Sequence, residues 1–308
     1  MAEGMATLNN ICQKRQMLDA PLFALAQCVA AATLRVALDD ARLDGFLVDG
    51  VLSVDECAAL VAAAERVPAA AGGFTFWGDG AGCEARRLFR SADTLEARQP
   101  ELARELWARM SPHAGGAVEI GAGSARFEPD LEGVWDPIGL NEHLLFARYA
   151  PGGHFAPHVD GQTELDFDTR SLFSVIIYLN DCARGGATRM LLGEQGDATE
   201  RLPDGRLVAR ADAVAHVVAP VAGRALVFYQ SALHDGEPVG AGAAKLIIRT
   251  DIVYRRREPL CVSEADARAY ALYRRARDEE AAGRCADAAE LFRAAFKASR
   301  TIARVYGG

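Results

Sequence analysis

The stretch Tyr149-Ala-Pro-Gly-Gly-His-Phe-Ala-Pro-His158-Val-Asp160-Gly161 decides how the chain is read. It sets an imidazole and a carboxylate two residues apart, and a third candidate ligand, His234, lies 74 residues beyond Asp160. In a strand, residues i and i+2 project from one face, so His158 and Asp160 can hold one ion together. Two imidazoles and a carboxylate on one side of a divalent ion leave three positions open, an arrangement that suits iron(II). His-x-Asp alone is a weak signal. The bland alternative makes His158 a surface histidine and His234 a capped turn residue. His113, His143, His154 and His216 have no carboxylate two residues on and read as structural, with His154 near enough to support the ligands from behind.

Outward from this stretch the texture is short apolar runs over 144–149, 172–179, 188–192, 215–218, 225–229 and 246–254, separated by Gly, Pro and Asp. Many short strands with such punctuation predict a β-sandwich or barrel. The segment 194–214 reads as an inserted hairpin or loop turning at Pro203-Asp204-Gly205. Upstream, Gly45-Phe-Leu-Val48 reads as a strand. Ser53 and Glu56 form a capping box for a helix with Cys57, Leu60, Val61 and Ala64 on one stripe. A Gly-rich loop over 72–82 holds Phe74, Phe76 and Trp77, and a second helix covers 100–110 with Leu102, Leu106 and Met110 inward.

The termini are helical in character. Residues 1–39 read as a helical extension. Its apolar part, 21–34, is interrupted by Gln27 and followed by Arg35, which favours a packed helix over a secretory or mitochondrial leader. The central domain is placed at 40–257 and a C-terminal helical hairpin at 258–308. Gly283, Ala288, Phe292 and Ala295 match the small and aromatic positions of a single tetratricopeptide unit. One unit forms no solenoid, so the hairpin packs on the β domain or a second copy, or offers a contact for a partner protein.

The chain has 308 residues, half of them hydrophobic, enough for a substantial core. A formal net charge of -8 argues against binding along a nucleic-acid backbone. There is no 18-residue uncharged apolar run, so no membrane span is expected. The seven cysteines are widely spaced and lack a CxxC pair, which reads as reduced thiols in the cytoplasm or nucleus.

Two cations stand inside an apolar strand. Lys245 and Arg249 are four apart and share a face with Ile247 and Asp251. Burying an unpaired charge is costly, so one of them is expected to meet an acidic ligand. The alternative puts Lys245 at an exposed strand start and pairs Arg249 with Asp251 or another acid. Tyr178 shares a face with Leu172, Ser174 and Ile176, and its phenol needs a partner there, as does the hydroxyl of Ser174.

The order Tyr149, His158-Val-Asp160, Tyr178-Leu-Asn, Gly185-Gly186, Gly223-Arg-Ala-Leu-Val-Phe228, His234-Asp-Gly-Glu-Pro-Val, Lys245, Arg249-Thr-Asp resembles the prolyl 4-hydroxylase-type Fe(II)/2-oxoglutarate dioxygenases over residues 40–256. The resemblance implies a mainly β fold with flanking helices around a double-stranded β-helix, a cupin-like jelly roll. It implies iron at His158, Asp160 and His234, the catalytic set. It implies 2-oxoglutarate held by Lys245, with Tyr149 and Tyr178 as hydrogen-bond donors. Lys245 follows His234 by eleven residues, about one more than usual. Arg249 therefore stays a rival for that carboxylate. Iron(II), 2-oxoglutarate and O2 are the implied cofactors, with ascorbate a further candidate. Asp160 occupies the position that a halogenase leaves vacant, so hydroxylation is expected, with release of succinate and CO2.

The substrate is less legible. A prolyl residue in a peptide or protein is the first expectation, a free amino acid or small metabolite the second, and a non-catalytic protein-binding scaffold the third. Trp77 and Arg90 are candidate substrate residues near an entrance. The acidic segment 164–168 is where such enzymes hold a mobile substrate loop, by resemblance, and Arg170 beside it is a third candidate contact.

Overall fold

The computed structural model describes residues 17–19, 32–77 and 83–307. Eight strands build the centre: β1 His143–Tyr149, β2 Phe155–His158, β3 Thr169–Tyr178, β4 Thr188–Leu191, β5 Val214–Val218, β6 Ala225–Tyr229, β7 His234–Gly236 and β8 Lys245–Arg256. One sheet runs β6-β3-β8-β1 and the other β5-β4-β7-β2, with all of these pairs antiparallel. The chain changes sheet at almost every connection, which makes a jelly roll. The large sheet continues past β6 through Gly45–Asp49 and Leu34–Ala37, and past β1 through Asp93–Arg98 and Thr75–Phe76. Leu34–Ala37, the described end of the proposed helical extension, is thus a strand; most of that extension lies outside the described residues.

All ten residues of β3 are buried. Such a strand is covered on both faces and reads as a continuous apolar run. Val175 and Ile177 face α1 (Val54–Glu65) and α3 (Pro100–Met110) across a cluster with Cys57, Leu60, Leu102 and Leu106. Ile176 and Tyr178 face the second sheet with Phe228 and Met190. The expected face Leu172, Ser174, Ile176, Tyr178 is broken at its first member. The register slips between Ser171 and Phe173, and Leu172 joins the helix-side cluster. An extra residue in one strand turns the residues beyond it to the other face. The capping box of α1 is present, with Ser53 accepting from the Glu56 amide and Glu56 from the Ser53 amide.

The inserted segment forms a two-stranded ribbon, Thr199–Arg201 against Leu207–Ala209. A short helix, α2 (Cys83–Phe89), leads into Arg90. The C-terminal hairpin is α4 (Glu264–Ala281) and α5 (Cys285–Ala298), with α6 (Arg300–Tyr306) folded back on it. Among the described residues no helix is long and apolar enough to cross a membrane.

Candidate metal centre

β7 pairs with β2 so that His234 lies directly opposite His158. Cross-strand neighbours sit side by side, and the two imidazole centroids are 4.2 Å apart. Asp160 has left the strand, which ends at His158. Its amide donates to Gln230 O at 3.0 Å, and this loop contact replaces the strand geometry expected from the two-residue spacing. One ligand atom from each of His158, Asp160 and His234 lies within 4.8 Å of the others.

The outer contacts aim these groups. His158 Nδ1 lies 2.7 Å from Ala156 O and His234 Nδ1 3.0 Å from Ala232 O. Each ring therefore gives its Nε2 to the cavity, the usual way a protein fixes a ligating tautomer. Phe155 stacks on His158 with centroids 3.6 Å apart. Burial and the neighbouring His234 push His158 down to about 3, so its ring is neutral at pH 7, as a ligand must be. Burial opposes ionisation of Asp160, but Arg249, the two imidazoles and the Ser174 hydroxyl outweigh it and hold the group below the ordinary carboxylate range. Two imidazoles and one carboxylate are a fitting donor set for a divalent iron.

A cavity of about 370 Å³ opens over these groups, lined among others by Tyr149, Thr188, Lys245, Arg249 and Arg90. Lys245 sits opposite Tyr149 on the neighbouring strand and is only 3% exposed. Its ammonium lies 5.2 Å from the Tyr149 ring and 5.9 Å from the Tyr178 ring, and no carboxylate or carbonyl bonds it among the described residues. Burial lowers its pKa to about 8. A ligand carboxylate would relieve that cost. Glycine is required beside it. At Gly186, with φ +73°, a Cβ would meet Cys182 Sγ at 3.0 Å and Lys245 Cδ at 3.4 Å.

Arg249 is placed differently. Its Nη2 is 3.5 Å from Asp160 Oδ2 and 3.0 Å from Asp251 Oδ1. The alternative that pairs Arg249 with acids thus describes its environment. The Ser174 hydroxyl donates to Asp160 Oδ2 at 2.6 Å, a contact that the sequence marked only as a buried hydroxyl needing a partner. Tyr178 is fully buried and donates to Thr188 Oγ1 at 2.7 Å, so Thr188 rather than the phenol faces the cavity. His154 bridges Gly152 O and Leu88 O, each at 3.1 Å, and is structural.

The three substrate candidates separate. Arg90 lines the cavity, its guanidinium 4.7 Å from the Phe155 centroid. Trp77 stands behind it, donating Nε1 to Arg90 O at 2.6 Å. Arg170 is a correction. It is 0% exposed and its Nη1 pairs with Asp130 at 2.8 Å, because the C-terminal helices cover that end of β3. The acidic segment is also held rather than free. Glu164–Asp166 is a strand on β3, Phe167 is buried among Tyr270, Ala295 and Ile302, and Tyr270 donates to Glu164 at 2.7 Å.

Among solved structures, a Pseudomonas putida prolyl-4-hydroxylase is similar at 21% identity and a TM-score of 0.41, covering 71% of this chain and 95% of its own. A viral collagen prolyl hydroxylase from Paramecium Bursaria Chlorella virus-1 is 16% identical with a TM-score of 0.37, covering 75% and 99%. A non-heme alpha-ketoglutarate-dependent carbocyclase from nogalamycin biosynthesis is 16% identical with a TM-score of 0.41, covering 77% and 87%. No curated protein matches the chain. Residues 144–250 match the sequence model of the 2OG-Fe(II) oxygenase superfamily, which implies iron(II), 2-oxoglutarate and O2. The matched segment carries all three candidate ligands together with Lys245 and Arg249.

Proposed function

We propose that this protein is a dioxygenase that hydroxylates a prolyl residue in a peptide or protein, converting 2-oxoglutarate to succinate and CO2. The observation that carries the oxygenase part is one cavity holding His158, Asp160 and His234 together with Lys245, which has no acidic partner among the described residues. The order of motifs along the chain, which is that of the prolyl 4-hydroxylase type, supports the prolyl part. In this reading His158, Asp160 and His234 hold iron(II). Bound there with 2-oxoglutarate, it supplies the activation of O2.

The chain's own groups do the positioning. Lys245 takes the far carboxylate of 2-oxoglutarate, and Tyr149 and Thr188 line the passage between it and the metal. Ile176 and Ile247 keep water from the intervening methylenes. The test is succinate release from 2-oxoglutarate that depends on added iron(II), followed by a peptide array read by mass for the gain of one oxygen. No succinate release rejects the oxygenase; release without any modified proline peptide rejects the prolyl substrate. Ascorbate enters as a reductant if it prolongs turnover in the same assay.

One observation favours a second reading, hydroxylation of a free amino acid or another small acid. Arg90 reaches the cavity, and no carboxylate pairs with it among the described residues. A substrate carboxylate would suit it. Under this reading small carboxylic acids, and not peptides, stimulate succinate release.

A further inference from the structure

Lys245 and Arg249 share a face of β8, yet among the described residues only Lys245 of the two has no acidic partner. Arg249 is fixed from behind. Asp251, 0% exposed, accepts from Arg249 at 3.0 Å, from Gln230 Nε2 at 3.0 Å and from Thr163 Oγ1 at 3.0 Å. Asn141 Nδ2 stands 3.4 Å from the same carboxylate. These contacts come from β8, from the turn after β6, from the segment after Asp160 and from the turn before β1. With so many directions constrained, Asp251 has a single orientation, and so does the guanidinium it holds.

The front of that guanidinium meets the metal site. Arg249 Nη2 and Ser174 Oγ both address Asp160 Oδ2, at 3.5 and 2.6 Å. Oδ1, which neither donor occupies, lies 3.7 Å from His158 Nε2, while the doubly occupied Oδ2 lies 4.0 Å from His234 Nε2. A carboxylate with one oxygen occupied by two donors has the other to offer. We propose that Arg249 is a positioning residue for the metal centre: with Ser174 and Asp251 it holds Asp160 as a ligand through Oδ1 alone, and it does not bind 2-oxoglutarate. The inference rests on the oxygenase reading of the same cavity.

The test uses full-length protein and Co(II) as a spectroscopic stand-in for iron(II), under anaerobic conditions. The parent is compared with Arg249→Gln, Arg249→Lys, Ser174→Ala and the double variant Arg249→Gln/Asp251→Asn. The double variant removes the buried pair together, so that Asp251 is not left uncompensated. Expected results are a Co(II) affinity about 10- to 100-fold weaker in the Gln and double variants, the usual effect of losing a contact behind a metal ligand. The Co(II) ligand-field spectrum changes in Ser174→Ala, and Arg249→Lys recovers part of the affinity. At saturating metal, the 2-oxoglutarate requirement stays within about threefold of the parent, well below the cost of losing a charge-assisted bond. The proposal is overturned if Co(II) affinity and spectrum match the parent in all variants. It is equally overturned if the 2-oxoglutarate requirement rises while metal affinity holds, because Arg249 would then be the cosubstrate's cation. A parent protein that binds no Co(II) rejects the oxygenase reading itself.

Discussion

The two ends of strand β8 treat buried cations in opposite ways. At its far end Arg256, 2% exposed, donates Nε to Asp168 at 2.7 Å and Nη2 to Asp130 O at 2.6 Å. Beside it Arg170 pairs with Asp130, whose carboxylate also accepts from Tyr306 at 2.9 Å. Asp168 in turn accepts from the amides of Leu260 and Cys261 as the chain enters the C-terminal helices. At the near end Lys245 is as deeply buried, and no acid among the described residues answers it. A buried charge with partners holds the fold; one without them costs stability and waits for a ligand. Burial alone does not separate the two cases.

The widest break between the two ends comes from the ligands themselves. Replacing His158 or Asp160 by Ala is expected to weaken Fe(II) binding by more than about 100-fold, beyond the cost of losing a contact behind a ligand. Unfolding should occur at nearly the parent temperature, since these groups line a cavity. Isothermal titration alongside calorimetric melting measures both. Succinate production at the parent rate by either variant would remove the metal assignment.

Arg170→Met probes the other end. Removing one partner of a buried ion pair typically costs about 3–5 kcal/mol. Urea unfolding should show that loss, while metal affinity per folded molecule is unchanged. A loss of metal affinity instead would mean that the two regions are one.

Lys245→Met sharpens the contrast, because its two effects have opposite signs. The 2-oxoglutarate requirement should rise about 10- to 100-fold, the value of a charge-assisted bond. Stability of the ligand-free protein should increase by about 1–3 kcal/mol, since an unpaired buried polar group is gone. Steady-state kinetics and unfolding of one preparation give both numbers.

The smallest effect is a pH dependence. Burial holds Lys245 at about 8 in the ligand-free protein, below the ordinary lysine value. A bound carboxylate favours the charged form and raises the pKa in the complex. The dissociation constant of 2-oxoglutarate should therefore be flat below pH 8 and rise about tenfold per unit above it. Lys245→Met should abolish that slope.

The same contrast explains how far the sequence could be read. The candidate ligands His158, Asp160 and His234 were legible because ligand chemistry restricts residue type and because short apolar runs located strands around them. Short strands and their punctuation pointed to a β-sandwich or barrel, and the resemblance in motif order implied the jelly roll. Arg170 was misplaced because an arginine beside an acidic loop looks the same whether it meets substrate or Asp130. Its partner lies 40 residues upstream, and the C-terminal helices that cover it lie at the other end of the chain.

Residue types and their spacing were enough to single out His158, Asp160 and His234 as candidate ligands, a series of short strands and two cations on one strand face, because each is a local constraint on chemistry or backbone. Which cation is free, where β3 shifts its register and what holds the acidic segment were decided only in three dimensions. Each depends on whether a distant group arrives within hydrogen-bonding distance, and that is a property of how the strands pair and pack.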